Sequence, residues 1–173
     1  MNFFTERLQL RPLCLDDLPT VHEYAGDVEN TKYMIFLPNA TEQESEAFLR
    51  KVEEEWAKQV PGFYEFAIVL DDLQVGAISI SLDESRTQGE IGWILNKKYW
   101  NQGYATEAAR AILEFAKDEL KLQEVIACCD WPNLASAKVM EKIGMTLIDD
   151  KGQRTYMKRE ETARELTYRI VLN

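Results

Sequence analysis

The sequence has little of the residue types that build metal sites, disulfide frameworks or nucleic-acid surfaces. It contains one histidine and three cysteines among 173 residues, and two cysteines, Cys128 and Cys129, are adjacent. That arrangement fits neither metal-ligand spacing nor an even set of disulfides, so it predicts free thiols in a reducing compartment and no metal. Acidic residues outnumber basic ones by 30 to 20, giving a formal charge of −10. This balance argues against a nucleic-acid partner and favours a cationic one, such as an amine.

Long hydrophobic runs are also missing. No stretch approaches the roughly 18 consecutive apolar residues of a membrane span, and residues Met1–Arg7 lack the basic and apolar regions of a signal peptide. We therefore expect a cytoplasmic protein with no membrane partner. The length and the 46% hydrophobic content predict a single domain over residues 1–173. The oligomeric state is left open between a monomer and a homodimer.

The amino-terminal third reads as one strand followed by two helices. Alternation over residues Arg7–Arg11 predicts a half-buried strand, and Asp16-Asp17 open a short helix. Residues Thr41–Glu44 match a capping box, which satisfies unpaired backbone donors where a helix begins. The apolar residues that follow at intervals of four predict one buried face: Phe48, Val52 and Trp56.

The middle of the chain predicts a mixed sheet. Three strand-like runs, Phe63–Leu70, Val75–Leu82 and Gly89–Asn96, are separated by short polar connections and so predict an antiparallel meander. A helical period over Tyr104–Leu120 then precedes a strand at Glu124–Cys129. Because a helix separates this strand from the previous one, we expect a parallel, right-handed crossover.

The carboxyl-terminal part predicts a further helix and two strands. The helix begins after Asn133 and ends at Gly144 in a left-handed cap. One strand starts at Met145–Ile148 and passes through a turn at Asp149–Gly152, and the other spans Leu166–Leu172. The predicted fold class is therefore α/β, with one mixed, mostly antiparallel sheet and helices on both faces.

The segment Asn101–Thr106 has the features of an anion-binding site. It joins a strand to a helix that begins with small residues, and it contains Gly103. The first N–H groups of a helix have no partner within it and point outward together, so a pyrophosphate fits there. An ordinary glycine-containing loop is the alternative, because one glycine before a helix is a weak signal.

Three blocks of sequence follow one another in a characteristic order. They are Thr5–Leu13, then Gly89–Leu95 followed by Tyr99–Ala108, and finally Asn133–Met145. Together these blocks resemble the GNAT superfamily of N-acetyltransferases, and more narrowly its Rim-type ribosomal-protein N-terminal acetyltransferases; the second block is similar to the acetyl-CoA motif. The resemblance implies acetyl-CoA as cofactor and a GNAT-like sheet with a central, splayed pair of parallel strands.

The resemblance also assigns cofactor contacts. The pantetheine arm would lie between the splayed strands and bond to the backbone of the first strand, and the pyrophosphate would bind the loop and helix start. Trp100, Gly103 and Ala105 stand at the signature positions of that loop, and Asn101 stands where relatives have glycine. Asparagine tolerates a positive φ better than most residues. The implied cofactor-binding residues are Ile94, Leu95, Asn96, Asn101, Gln102, Gly103, Tyr104, Ala105, Thr106, Asn133 and Ser136.

Acetyl transfer to an amine needs a base, an oxyanion donor and an acid for the departing thiolate. The resemblance implies Glu90 as the base, directly or through water; the alternative is a solvated strand carboxylate. A backbone N–H near Leu95 would bind the acetyl oxygen. The family's usual tyrosine acid is replaced by Met140, so Ser136 or water would protonate the thiolate, although Ser136 could instead cap its helix. Asn133 is expected to cap that helix beside the cofactor.

The predicted function is therefore transfer of an acetyl group from acetyl-CoA to a primary amine, a protein N-terminal α-amine above all, by direct attack. The alternatives are acetylation of a small-molecule amine, such as a polyamine or an antibiotic, and a non-catalytic acetyl-CoA-binding module. Cys128 and Cys129 are expected to be core residues with raised thiol pKa values, and His22 a surface side chain. The ranges Asp16–Phe36 and Asp149–Thr162 are expected to shape the acceptor groove.

Overall fold

The computed structural model describes residues 1–172, and these contain an eight-stranded sheet flanked by four α-helices. Asn173, the last residue of the predicted domain, lies outside the described residues. The strands are β1 (Phe3–Phe4), β2 (Gln9–Pro12), β3 (Phe63–Leu70), β4 (Leu73–Leu82), β5 (Gln88–Leu95), β6 (Glu124–Asp130), β7 (Thr146–Tyr156) and β8 (Glu161–Val171). The helices are α1 (Leu18–Ala25), α2 (Glu42–Trp56), α3 (Tyr104–Asp118) and α4 (Leu134–Lys142), with short 3-10 helices at Leu15–Asp17 and Lys97–Tyr99.

The sheet is mostly antiparallel with one parallel pair. Its strand order is β1-β2-β3-β4-β5-β6-β8-β7, and β5 with β6 is the parallel pair. The predicted meander of β3, β4 and β5 is confirmed, as is the crossover from β5 through α3 to β6. The predicted fold class, including helices on both faces of the sheet, is confirmed.

The two faces of the sheet are covered by different helices. Successive residues of a strand point to opposite faces, so Phe66 and Ala67 on β3 belong to different hydrophobic clusters. The Phe66 face packs against α3 and α4, and the Ala67 face packs against α1 and α2. Helix α3 presents Ala108, Ala109 and Ala116, all fully buried, because small side chains allow close approach to the sheet.

The buried face of α2 includes Val52 and the half-buried Trp56, as predicted, but differs from the prediction at Phe48. Phe48 is 39% exposed, whereas Ser45 and Leu49 are fully buried. A step of four residues overshoots one helical turn of 3.6 residues, so a row built on that step winds away from the core. The predicted amino-terminal cap is present, because the Thr41 hydroxyl accepts from the Glu44 N–H at 3.4 Å. The Glu44 carboxylate, however, accepts from the N–H of Ala40 at 2.9 Å.

Two further predictions were wrong. The turn expected at Asp149–Gly152 is absent, because β7 runs unbroken from Thr146 to Tyr156. Asp149 and Gly152 instead border irregularities in the pairing of β7 with β8. Glycine inside a strand often marks such a bulge rather than a turn. His22 is half-buried between α1 and α2, with its Nδ1 3.0 Å from the Ser45 hydroxyl oxygen, and is not a free surface side chain. Within residues 1–172, no helix is long and apolar enough to cross a membrane.

Candidate active site

The central feature is a gap between β5 and β6. The two strands pair only where Gln88–Glu90 face Glu124–Ile126. Both continue beyond that point, β5 to Leu95 and β6 to Asp130. Parallel strands that continue without pairing leave backbone polar groups unused. The predicted splay therefore opens immediately after Glu90.

Only alternate residues of β5 direct their backbone into this gap. The N–H of Asn96 donates to the Val75 carbonyl at 2.8 Å, so Asn96 and, by alternation, Ile94 direct their backbone groups toward β4. Trp93 and Leu95 direct theirs toward β6. The Leu95 carbonyl is already used, since it accepts from side chains of two other segments. The Trp93 backbone and the Leu95 N–H are thus the groups that face the gap.

The three cofactor residues predicted on this strand consequently differ in placement. Leu95 offers its N–H to the gap. Ile94 packs against the cluster under α1 and α2. Asn96 is 8% exposed, and its side chain donates to Glu23 and accepts from the N–H of Lys98. Trp93 was missed because the backbone direction depends on the register with β4, which the sequence does not reveal.

The loop before α3 brings unpaired backbone donors together. Asn101 and Gly103 both have positive φ, 60° and 85°. The left-handed conformation expected of Asn101 is therefore present. Within the described residues, the N–H groups of Asn101–Thr106 donate to no protein acceptor, and the first bond of the helix runs from Glu107 to the Gly103 carbonyl at 3.0 Å. The predicted pyrophosphate segment is thus a continuous row of free N–H groups at the positive end of α3.

An ionic anchor holds this loop against the amino-terminal segment. The Arg7 guanidinium donates to the Glu107 carboxylate at 2.7 Å and to the Gln102 carbonyl at 3.0 Å, and its centre lies 4.5 Å from that of the Tyr104 ring. The Thr5 hydroxyl also donates to Glu107, at 2.6 Å. Burial raises the pKa of Glu107, but these hydrogen bonds outweigh it and the pKa is lowered overall. Arg7 therefore neutralises the one acidic side chain in the first turn of α3.

Replacement of Arg7 by alanine is expected to weaken acetyl-CoA binding by roughly fivefold, since losing a partly exposed charged hydrogen bond costs about 1 kcal/mol. The uncompensated Glu107 would also repel a phosphate. The measurement is the acetyl-CoA dissociation constant by calorimetry. Arg50→Ala, which removes an exposed pair with Glu46 on α2, is the control and should leave that constant unchanged. Equal affinities in the two variants would contradict a role for the anchor.

A cavity of about 210 Å³ passes through the gap between β5 and β6. Its walls come from both faces of the sheet. Ile91, Trp93 and Met140 belong to the cluster beneath α3 and α4, whereas Glu90 and Cys128 lie on the opposite face. The lining residues are Tyr33, Met34, Ile35, Phe36, Glu90, Ile91, Gly92, Trp93, Cys128, Cys129, Asn133, Ser136, Met140 and Arg154. Glu90 from the second block and Asn133 and Ser136 from the third therefore line one cavity.

The two predicted catalytic side chains have no hydrogen-bond partner among the described residues. Within residues 1–172, neither the Glu90 carboxylate nor the Ser136 hydroxyl makes a hydrogen bond. The cap of α4 is Asn133, whose side-chain oxygen accepts from the Ser136 N–H at 3.2 Å. Capping is therefore the role of Asn133, as predicted, and leaves the Ser136 hydroxyl free. Met140, one turn later, is buried and cannot donate a proton.

The cysteines of β6 are poor nucleophiles. Burial raises the pKa of Cys128 and of Cys129 to about 11. Since the thiolate is the reactive form, both side chains are almost wholly thiol at neutral pH. Cys129 is a core residue, as expected, whereas Cys128 is half-buried and belongs to neither hydrophobic cluster, because it points to the opposite face of β6. Both line the cavity, but their thiol form favours direct attack of an amine over a covalent acetyl-enzyme.

Two contributors to the cavity were not singled out from sequence. Arg154 of β7 is 11% exposed and lies between Asp130, at 3.2 Å, and Glu165, at 3.4 Å. The Tyr33–Phe36 segment, between α1 and α2, forms another wall. Both fall within the broad ranges expected to shape the acceptor groove. Nothing in their local sequence marks them, because the fold brings them from distant parts of the chain.

Known proteins share this architecture and sequence pattern. Residues 7–146 match the family described as Acetyltransferase (GNAT) domain. YnaD, an uncharacterized N-acetyltransferase of Bacillus subtilis (strain 168), is 36% identical over 149 residues, which cover 84% of this chain and 82% of that protein. A crystal structure of a GNAT-family acetyltransferase from Bacillus anthracis is 33% identical, covers 99% of this chain and 98% of its own, and has a TM-score of 0.83.

A more distant structure shares the fold. RimL, a ribosomal alpha-N-protein acetyltransferase in complex with coenzyme A, is 15% identical, with a TM-score of 0.83 over 99% of this chain and 98% of that one. The family match covers most of this chain and includes the gap between β5 and β6 and the donor loop before α3. The chain therefore belongs to the GNAT family and is an acetyl-CoA-dependent N-acetyltransferase.

Proposed function

We propose that this enzyme acetylates a primary amine by direct attack on acetyl-CoA, and that a protein N-terminal α-amine is the acceptor class. The observation that carries the direct mechanism is the cavity through the sheet, which Glu90 lines from one face and Ser136 from the other. The N-terminal acceptor is supported by the three blocks of Rim-like sequence. Three free cysteines fit the reducing environment of the cytoplasm, where we place the enzyme.

The residues present fit acetyl-CoA, which when bound supplies the thioester that the amine attacks. The free N–H groups of Asn101–Thr106 would hold its pyrophosphate, because they converge at the positive end of α3. The Trp93 backbone would hydrogen-bond the pantetheine arm along the gap, which leaves the Leu95 N–H for the acetyl oxygen. Asn133 and Ser136 would flank the thioester from the first turn of α4.

Each chemical requirement has a candidate group: two of them line the cavity, and the third lies further along β5. Glu90 would accept the proton of the incoming ammonium, directly or through water, because its carboxylate is exposed and has no protein partner. The Leu95 N–H would stabilise negative charge on the acetyl oxygen. The Ser136 hydroxyl would give a proton to the departing thiolate. Attack would cross the gap from the Glu90 face to the α4 face.

Replacement of Ser136 by alanine is expected to lower kcat by roughly 10- to 100-fold and to leave the KM for acetyl-CoA nearly unchanged, as for a proton donor that water replaces in part. Initial rates of CoA thiol release measure both parameters. Ser85→Ala, in the exposed turn between β4 and β5, is the matched control. Equal turnover in the two variants would remove Ser136 from the mechanism.

Two other functions make different predictions. An enzyme for polyamines or amine-bearing antibiotics would release thiol with those amines faster than with peptides. A non-catalytic module would be stabilised against heat by acetyl-CoA but would release no thiol with any amine. A panel of peptides beginning with Ala, Ser or Met, together with polyamines, separates these cases. We expect the peptides to be the better acceptors.

A further inference from the structure

Four mostly apolar side chains outside the hydrophobic clusters line one wall of the cavity; three are half-buried and one is exposed. Tyr33, Met34, Ile35 and Phe36 are consecutive in sequence, and all four line the cavity. None belongs to either hydrophobic cluster of the described residues. Phe36 is 69% exposed. Leaving apolar area in water forgoes the free energy of burial, so a run of such side chains beside a reaction centre points to an apolar ligand group.

This wall is held in place by contacts on both sides. The N–H of Met157 donates to the Ile35 carbonyl at 3.0 Å, and the Arg159 guanidinium donates to the Lys32 carbonyl at 2.7 Å. On the other side, the Asn30 amide donates to the Leu95 carbonyl at 3.0 Å. The segment is thus tied both to the end of β7 and to the end of β5. An apolar group that entered the cavity would meet a wall that is already formed.

The charged side chains that line the cavity can pair with one ammonium group. Among the lining residues, Glu90 and Arg154 are the charged side chains. Arg154 is held between Asp130 and Glu165, which leaves Glu90 as the lining carboxylate without a protein partner. A second ammonium on the same acceptor would find no further unpaired carboxylate among the lining residues, so its loss of contact with water would not be compensated.

We infer that the acceptor is a monoamine whose amine-bearing carbon carries an apolar group, such as a peptide that begins with methionine or phenylalanine. The ammonium lies beside Glu90, and the apolar group packs against the wall formed by Tyr33–Phe36. Polyamines and peptides with a polar first residue are poorer acceptors. This inference rests on the proposed acetyl transfer at the same cavity.

The test compares peptides that differ only in their first residue: Met, Phe, Ser and Asp, with spermidine as the polyamine probe. The measurement is kcat/KM from CoA thiol release at saturating acetyl-CoA. Met and Phe peptides are expected to exceed the Ser peptide by at least about tenfold, since burying a large apolar side chain supplies that difference. In Phe36→Ser the preference should fall several-fold with the KM for acetyl-CoA unchanged. Phe48→Ser, which alters an exposed phenylalanine outside the cavity, should keep the preference for Met and Phe peptides.

The outcomes separate the inference from the proposed function. Equal or faster reaction of the Ser peptide, the Asp peptide or spermidine would overturn the inference while acetyl transfer stands. An apolar preference that keeps its wild-type value in both Phe36→Ser and a Met34→Ser/Phe36→Ser double variant would also overturn it, because the wall would then not be its source. Absence of thiol release with every amine, despite acetyl-CoA binding, would remove the proposed function and the inference together.

Discussion

Replacement of Gly103 by valine is expected to abolish measurable acetyl-CoA binding and to leave the fold intact. Gly103 has a φ of 85°, and a non-glycine residue in this conformation costs about 1–2 kcal/mol, more when β-branched. A β-carbon there would make an ordinary 3.4 Å contact with the Arg7 guanidinium, and the two γ-carbons of valine would extend beyond it. The loop would change shape or lose its anchor, and a valine side chain would block close approach of a phosphate.

The expected loss of affinity is large. Each hydrogen bond between a backbone N–H and a charged phosphate contributes about 1.5–3 kcal/mol, so losing one or two of them together with the conformational strain weakens binding by roughly 100-fold or more. Calorimetric titration with acetyl-CoA measures this affinity. The circular dichroism spectrum should match that of the unchanged enzyme, since the strain is small beside a typical unfolding free energy of about 5–15 kcal/mol.

Gly144 provides a matched control. It ends α4 with a φ of 90°, and a β-carbon there would meet Cδ1 of Ile170 at an ordinary 3.6 Å. Gly144→Val therefore introduces similar backbone strain away from the donor loop. It should lower the melting temperature about as much as Gly103→Val while keeping acetyl-CoA affinity. Unchanged affinity in Gly103→Val would show that the pyrophosphate binds elsewhere.

Replacement of Glu90 by glutamine is expected to lower kcat by roughly 100- to 1000-fold, the usual contribution of a general base. The amide keeps the size of the side chain but does not accept the ammonium proton. Acetyl-CoA affinity should not change, because Glu90 lies on the acceptor face of the cavity. Steady-state thiol release and calorimetry give the two quantities.

Glu84→Gln is the control for the change in charge. Glu84 lies in the exposed turn between β4 and β5, outside the cavity, so its variant should keep full activity. If both glutamine variants have wild-type kcat, Glu90 is a solvated strand carboxylate and another group or water deprotonates the amine. A loss in Glu90→Gln alone supports the assignment of the base.

The sequence was most informative where a single pattern determines a structure. The meander β3-β4-β5 follows from three short strands with polar connections, and the start of α4 follows from Asn133 as its cap. The left-handed conformation of Asn101 was expected from the resemblance, since relatives have glycine there and asparagine tolerates a positive φ. Each of these depends on neighbours within a few residues, so sequence reasoning could reach it.

Features that depend on distant segments could not be predicted in the same way. The backbone direction of Trp93 is set by the register with β4, and Arg154 reaches the cavity only because β7 folds back along β8. The two ranges that contain Arg154 and Tyr33–Phe36 were expected near the acceptor, but individual residues were not. The misplaced turn at Asp149–Gly152 has the same origin, because pairing with β8 keeps that segment extended.

The most direct test of the central claim is a single assay of thiol release from acetyl-CoA with an amine panel, with mass spectrometry of the acceptor. The account predicts one acetylated amine for each thiol released, and loss of both signals in Gly103→Val and in Glu90→Gln. Acetyl-CoA that binds and stabilises the protein but releases no thiol with any amine would contradict it, as would release that persists in both variants.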